Sequence, residues 1–89
     1  MMRLDKFLKV SRLIKRRTMA KEVADQGRVL VNGQKAKASS TIKVGDELTV
    51  QFGQKVVKLT IDRLSEAVKK EEAQTMYTII SEERRNEEG

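Results

Sequence analysis

Apolar residues recur at helical spacing near the start of the chain. Leu4, Phe7 and Leu8 stand at positions i, i+3 and i+4 and therefore share one face of a helix. Ser11 extends that face as a small residue. The pattern predicts a helix over residues 3–14 whose apolar stripe faces the core.

A second helical pattern follows a break around residues 15–17. Thr18 is a favourable N-cap residue, because a threonine hydroxyl accepts a hydrogen bond from a free amide of the first turn. Gly27 stands where the C-terminus of a helix favours a left-handed residue. We therefore expect a helix over residues 18–25, joined to the first by a sharp turn. Its apolar positions are Met19, Ala20, Val23 and Ala24.

The hydrophobic period changes from 3.6 to 2 after the second helix. Residues 28–31 are predicted to form a strand, and Asn32-Gly33 is the dipeptide typical of a two-residue type I′ hairpin turn. The elements predicted after this turn are a returning strand at 34–37, a loop at 38–41, a turn at 43–46, and strands at 47–52 and 55–64.

The last part of the chain combines three patterns. Residues 67–75 are charged and favour a helix, 76–80 are β-like and suit an edge strand, and 82–89 are polar and are expected to fray. With the preceding elements they indicate the α+β class, with two short helices beside an antiparallel sheet. We divide the chain into a domain at 2–64 and a C-terminal extension at 65–89.

Composition excludes several classes of protein. A chain of 89 residues makes one small domain with a small core. It has no Cys and no His, which excludes a disulfide framework, thiolate or imidazole metal sites and a Ser-His triad. No apolar run approaches the roughly 20 residues of a membrane helix, and the charged start is unlike a signal peptide. We expect a cytoplasmic binding protein with no metal, no cofactor and no membrane association.

The acidic residues are better explained by structure than by catalysis. Asp46 follows Gly45 at the entrance of a predicted strand, where turn chemistry favours it. Asp5 lies among basic residues in the first turn of a predicted helix, where the helix dipole and a local ion pair explain it. Neither has a base partner of the histidine type, and the five glycines form no phosphate-binding loop. The protein is therefore predicted not to be an enzyme.

Positive charge is concentrated in the first half of the sequence. Residues 1–43 contain twelve Lys and Arg and three acids, a net charge of +9, whereas residues 44–89 contain seven basic and ten acidic residues, a net charge of −3. The total of +6 understates this asymmetry. A positive half of this strength favours a polyanion partner, in particular nucleic acid, over a solvated basic face without a partner.

The densest basic cluster spans the predicted turn between the helices. A phosphate near Arg17 and Thr18 would meet the free amides of a helix N-terminus and a guanidinium together. The three aromatic residues Phe7, Phe52 and Tyr77 are predicted to pack in the core, so phosphate contacts should outweigh base stacking. This favours recognition of a folded nucleic acid by shape. The cluster consists of Arg12, Lys15, Arg16, Arg17 and Lys21, and Lys35 and Lys37 extend it beyond the hairpin.

An ordered series of motifs resembles the RNA-binding domain of ribosomal small-subunit protein S4. The series covers about residues 2–52 and consists of RLDKFL at 3–8, Arg12, RTMA at 17–20, GRVLVNG at 27–33, Lys37 and VGD at 44–46. The resemblance implies two helices packed on a small, bent antiparallel sheet, with a basic helical surface that faces structured RNA. It assigns RNA contacts to Arg3, Arg17 and nearby basic residues, and makes Asp5 structural. With the basic cluster, the predicted RNA-binding residues are Arg3, Lys6, Lys9, Arg12, Lys15, Arg16, Arg17, Thr18, Lys21, Lys35 and Lys37.

The stand-alone form of the domain narrows the resemblance. The chain contains KVSRLIKRR at 9–17 and Ala73 followed by MYTI at 76–79. With these motifs it is similar to small bacterial proteins related to the 15-kDa heat shock protein. It is most similar to the P-site factors of ribosome-associated quality control in Gram-positive bacteria. The resemblance implies binding to stalled large ribosomal subunits that carry peptidyl-tRNA, with contacts to rRNA and tRNA. It also implies a partner protein that extends the stalled chain with alanine. We expect a monomer.

Three alternatives to this function stay open at the level of the sequence. The first is a general rRNA-binding factor that acts in ribosome assembly or recycling. The second is a DNA-binding regulator, because two basic helices with a tight turn are typical of a helix-turn-helix. The third is an adaptor that binds an acidic protein.

Overall fold

The computed structural model describes residues 1–66 and 68–84. Its helices are α1 (Leu4–Val10), α2 (Arg17–Asp25) and a 3-10 helix (Lys70–Met76). Its strands are β1 (Met2–Arg3), β2 (Val29–Val31), β3 (Gln34–Lys35), β4 (Thr41–Ile42), β5 (Glu47–Phe52), β6 (Lys55–Ile61) and β7 (Tyr77–Arg84).

The strands form one five-stranded sheet and one two-stranded ribbon. The sheet has the order β3-β2-β5-β6-β7 and the ribbon pairs β1 with β4, and every pairing is antiparallel. The register shifts between Lys58 and Leu59 where β6 meets β7, a bulge that increases the local bend. Two helices on a bent antiparallel sheet confirm the predicted α+β class.

Buried side chains of both helices and the sheet form a single core cluster. Leu4, Phe7 and Leu8 are fully buried, as their spacing predicts, and each contributes about 1.5–3 kcal/mol by burial. The buried positions of α2 are Ala20 and Ala24, one turn apart, whose small side chains allow α2 to approach its neighbours closely. The sheet contributes Val29, Leu48, Val50, Val57, Leu59 and Ile61 to the same cluster.

The first helix is shorter than its apolar pattern predicts. It ends at Val10, and the Ser11 hydroxyl donates a hydrogen bond to the Leu8 carbonyl at 3.3 Å. Arg12 then adopts a left-handed backbone with φ 63°, which reverses the chain and lets the buried Ile14 donate its amide to the Leu8 carbonyl at 3.0 Å. The free energy gained by burial of Ile14 therefore outweighs the free energy that a longer helix would contribute.

The second helix begins two residues earlier than an N-cap at Thr18 predicts. Arg16 is its N-cap residue, and no side chain of the described residues caps it. The predicted capping by Thr18 is therefore wrong, and Thr18 lies within the first turn. At the other end, Gly27 has φ 79° immediately after the C-cap residue Gln26. The left-handed glycine predicted there is confirmed.

The hairpin after β2 has the predicted turn. Asn32 and Gly33 have φ 53° and 85°, as a type I′ turn requires. The Asn32 side chain accepts a hydrogen bond from the Glu47 amide at 3.0 Å and donates one to Asp46 at 3.2 Å. Asp46 also accepts the Lys43 amide at 2.9 Å, which confirms its role in a turn.

Two strands near the hairpin differ from their prediction. β3 ends at Lys35 instead of residue 37. Thr41–Ile42 is a strand, although residue 41 lies in the predicted loop. The strand forms because these two residues pair with β1 at the start of the chain. Local periodicity carries no signal for a two-residue strand whose partner is about forty residues away.

The C-terminal segment completes the large sheet. β6 ends at Ile61, earlier than predicted, and the predicted helix is a 3-10 helix over Lys70–Met76. β7 pairs along β6 as far as Arg84, so residues 82–84 are a strand and the predicted fraying is wrong for them. Ala67, the side chain of Phe52 and residues 85–89 lie outside the described part, and the limits 2–64 and 65–89 stay a prediction.

The left-handed backbone at Arg12 predicts an unusual order of stability. Because glycine adopts positive φ without a Cβ penalty, we expect Arg12→Gly to be more stable than Arg12→Ala by about 1 kcal/mol. Urea unfolding followed by circular dichroism measures the difference. The control pair is Lys9→Gly and Lys9→Ala within α1, for which glycine should be the less stable variant. Equal stability of the two Arg12 variants would show that the left-handed backbone at residue 12 is not strained.

Candidate nucleic-acid interface

A buried carboxylate holds two arginines at the junction of β1, α1 and α2. Asp5 Oδ1 lies 3.3 Å from Arg3 Nε and 3.5 Å from Arg17 Nη2, and Asp5 Oδ2 lies 3.4 Å from Arg3 Nη2. The Asp5 side chain is only 4% exposed, whereas each arginine side chain is 49% exposed. The carboxylate thus lies beneath two guanidiniums that remain open to solvent. We call these three residues the arginine pair site.

The backbone around the arginine pair site is fixed by contacts with the 38–42 segment. Arg3 is paired with Thr41 in the two-stranded ribbon. The Leu4 amide donates to the Ser40 carbonyl at 2.8 Å, and the Asp5 amide donates to the Ala38 carbonyl at 3.2 Å. Arg17 comes from the first residue of α2. The elements β1, α1 and α2 therefore position the site, and Asp5 forms the local ion pair that its sequence position predicts.

The electrostatics of this arrangement suit an external anion. Two adjacent guanidiniums repel each other, and a buried carboxylate reduces that cost while it fixes their orientation. A guanidinium carries five N–H donors in a planar fork, and contact with Asp5 uses only some of them. The remaining donors of Arg3 and Arg17 are available to a phosphate, and the three side chains together keep a net positive charge.

A groove beside the arginine pair site groups other predicted residues. It has a volume of about 450 Å³, and Arg3, Lys21 and Lys37 line it. Asp25, which also lines it, accepts the Ala38 amide at 3.0 Å and so joins the end of α2 to the 38–42 segment. We call this the first groove. It brings together cations from β1, α2 and the loop after β3.

A second groove lies where the turn after α1 meets the C-terminal segment. It has a volume of about 550 Å³ and shares no lining residue with the first groove. Sequence reasoning missed Lys70, and the adjacent lysines 69 and 70 were its only signal. The lining residues are Lys9, Val10, Arg12, Lys15, Glu66, Val68 and Lys70.

Lys6 is engaged with an acid from the C-terminal segment. Its ammonium group forms an ion pair and hydrogen bond with Glu66. The hydrogen bond, and then the charge of Lys6, hold the pKa of the Glu66 carboxyl below its ordinary value. A phosphate would have to displace Glu66 to reach Lys6.

The remaining predicted residues are more dispersed. Lys35 lines a separate hollow with Lys43 and Asp46, on the side of the hairpin. Thr18 and Lys21 line a shallow surface of α2 with Glu22 and other polar side chains. Arg16 is exposed before α2.

Neither a metal site nor a membrane helix is found among residues 1–66 and 68–84. No three His, Cys, Asp or Glu side chains in this part form a group that could hold a metal ion. No helix in it is long and apolar enough to cross a bilayer.

Three comparisons with known proteins agree on one family. The model of the S4 domain matches residues 2–48. The RQC P-site tRNA stabilizing factor of Bacillus subtilis is 67% identical over 97% of this chain and 100% of that protein, and that of Listeria monocytogenes is 63% identical over 97% and 94%. The trimeric structure of Vibrio cholerae Heat Shock Protein 15 is 32% identical, with a TM-score of 0.82 over 89% of this chain and 81% of that one. The resemblance seen in the motifs is confirmed.

The arginine pair site predicts an effect opposite to that of net charge. Asp5→Asn adds one positive charge, which by itself favours RNA. We expect it instead to weaken binding of structured RNA by about 1 kcal/mol, roughly fivefold in Kd, because a neutral amide no longer holds the guanidiniums in place. Loss of the charged contacts should also destabilise the fold by about 1–3 kcal/mol. Fluorescence anisotropy and urea unfolding measure the two effects.

The matched control for Asp5→Asn is Asp25→Asn. It adds the same charge to the first groove, keeps an acceptor for the Ala38 amide and touches neither arginine of the pair. RNA binding by this variant should be unchanged or tighter. Tighter binding by both variants would show that Asp5 acts only through net charge.

The Lys6–Glu66 pair predicts a pH dependence at acid pH. Because the pKa of Glu66 is lowered in the folded protein, the contribution of the pair is present at neutral pH and is lost as pH falls through that lowered pKa. An NMR titration of the Glu66 carboxyl carbon should show a midpoint below the ordinary glutamate value, and Lys6→Gln should raise it. Lys58→Gln, which breaks the separate pair with Glu47, should leave the midpoint unchanged. The same midpoint in wild type and Lys6→Gln would refute the contact.

Proposed function

Because this chain belongs to the S4 domain family, and within it to the group of RQC P-site tRNA stabilizing factors, we propose that it binds stalled large ribosomal subunits and stabilises the peptidyl-tRNA that they carry. The observation that carries this proposal is the arginine pair site. Two half-exposed guanidiniums held by one buried carboxylate form a rigid contact for phosphates of a folded RNA.

The proposed mechanism is positioning. Phosphates of rRNA and tRNA bind to Arg3, Arg17 and the cations of the first groove, so that the affinity depends on RNA shape more than on its bases. A guanidinium that is already oriented loses less conformational freedom when it binds. The protein thereby holds the peptidyl-tRNA in the P site and carries out no bond-making step of its own. All eleven predicted RNA-binding residues belong to this proposal.

The proposal places the protein in ribosome-associated quality control in the cytoplasm. There it acts as a monomer next to a tail-adding partner, which extends the stalled chain with alanine while the tRNA is kept in place. The names of the RQC P-site tRNA stabilizing factors that it is similar to support the assignment to ribosome-associated quality control. The chemistry of elongation belongs to the ribosome and to that partner.

Co-sedimentation with large ribosomal subunits that carry peptidyl-tRNA tests the proposal. Arg3→Ala and Arg17→Ala should each weaken the association roughly tenfold, about 1.4 kcal/mol, and reduce the slope of log K against log salt by about 1. Arg63→Ala is the control, because it removes the same charge from an exposed arginine that lines neither groove. Circular dichroism checks that each variant is folded.

Three results would overturn the proposal. If Arg3→Ala and Arg17→Ala both associate with large subunits as tightly as wild type, the arginine pair site is not an RNA contact. A gel shift with a preference for duplex DNA over rRNA would favour a DNA-binding regulator. Association that resists ribonuclease would favour an adaptor for an acidic protein.

A further inference from the structure

We propose that the second groove is a separate binding site for RNA backbone phosphate, and that Lys70 of the C-terminal segment completes it. This inference rests on the proposed function, since it assumes an RNA partner. It extends the RNA-binding surface beyond residues 2–48, which match the S4 domain, to a part of the chain outside that match.

Four cationic side chains converge on the second groove, three from residues 9–15 and one from the C-terminal segment. Lys9 comes from the end of α1, Arg12 and Lys15 from the turn that follows, and Lys70 from the first residue of the 3-10 helix. Glu66 is the one acid among the described residues that line the groove, and its charge is paired with Lys6, which does not line it. The groove therefore keeps an excess of positive charge, which an anion would neutralise.

The other lining residues indicate which anion fits. Val10 and Val68 supply apolar surface and pack against the core cluster. Among the described residues, the lining set includes no aromatic side chain and no Asn, Gln, Ser or Thr, so this set offers neither stacking surface nor uncharged polar groups to read a base edge. Cations around an apolar floor suit the sugar-phosphate backbone, whose ribose lies on the apolar surface while its phosphate meets the cations. Recognition there is independent of base sequence.

The segment that carries Lys70 is anchored to the rest of the protein. The Lys6–Glu66 pair ties it to α1, and Ala73 and Met76 of the 3-10 helix are buried. The Lys69 amide donates to the Glu72 carboxylate at 3.3 Å at the start of that helix. Lys70 is thus held beside the groove by long-range contacts of its segment as well as by a local one.

The two grooves lie at opposite ends of α1. Arg3 immediately precedes this helix, while Lys9 and Arg12 lie at and just beyond its C-terminal end. A seven-residue helix is about 10 Å long, which exceeds the reach of a single phosphate group. Simultaneous contact at both grooves would fix the direction of an RNA strand, or the relative placement of two strands, in a way that one groove cannot.

The test compares neighbouring lysines in the full chain. Lys70→Ala should reduce the slope of log K against log salt for large subunits carrying peptidyl-tRNA by about 0.7–0.9, the effect of one phosphate contact. Lys69→Ala removes the same charge from an adjacent exposed lysine that does not line the groove, and should leave the slope within error of wild type. Lys70→Arg should restore most of the slope.

Double variants test whether the two grooves are separate. Lys70→Ala combined with Arg3→Ala should weaken binding by the product of the two single effects to within about twofold, because distant sites are additive. Lys70→Ala combined with Arg12→Ala should deviate from that product, because the two side chains share one phosphate site.

Each outcome separates this inference from the proposed function. If Arg3→Ala weakens binding while Lys70→Ala and Lys69→Ala have equal effects, the second groove is not a site and the proposed function stands. If binding by the wild-type protein resists ribonuclease, and the Arg3→Ala variant binds as tightly as wild type, the proposed function fails and this inference fails with it. A change in slope specific to Lys70→Ala, with restoration by arginine, supports the second site.

Discussion

The geometry of the arginine pair site depends on the contacts of the Asp5 carboxylate with Arg3 and Arg17. The carboxylate is buried, and it lies within 3.5 Å of nitrogens from two arginines that come from different elements. Without a counter-charge, two guanidiniums this close would repel each other and lose their common orientation. The carboxylate therefore couples the packing of β1, α1 and α2 to the geometry of the surface that they present. A change that moves any of these elements also moves the arginines.

Concentration of positive charge is a general difficulty for a domain this small. The first 43 residues have a net charge of +9, and self-repulsion of such a charge destabilises a compact state. The fold distributes six of these cations over two grooves and brings one acid of the second half next to a further cation of the first. Glu66 reaches Lys6 across sixty residues of sequence, and β7 adds an acidic edge strand to the sheet. The C-terminal segment thus contributes to the core, to the charge balance and to the second groove.

The turn after α1 shows how this surface is built at a local cost. Arg12 adopts a left-handed backbone that an arginine rarely takes, because the chain must reverse for Ile14 to reach the core. Strain of this kind persists only where surrounding packing determines the conformation. Here it places a guanidinium at the rim of the second groove, next to Lys9 and Lys15.

The sequence by itself determined the parts of the protein that depend on local spacing. The apolar stripe of α1, the left-handed Gly27, the Asn32-Gly33 hairpin and the alternating strand β5 follow from side-chain period and turn chemistry. The motifs that resemble the S4 domain also singled out Arg3 and Arg17 as RNA contacts and Asp5 as a structural residue. These features involve residues that are close in sequence or an ordered series of motifs.

Only the tertiary structure decided which cations share a surface. It separated Arg3, Lys21 and Lys37 from Lys9, Arg12 and Lys15, and it brought Lys70 to the second set. It also ended α1 at Val10 and paired β4 with β1. The physical reason is that these arrangements arise from contacts between segments that are far apart in the chain, and the energy of such contacts outweighs the local preference of each segment. No local pattern records which distant segment a residue will meet.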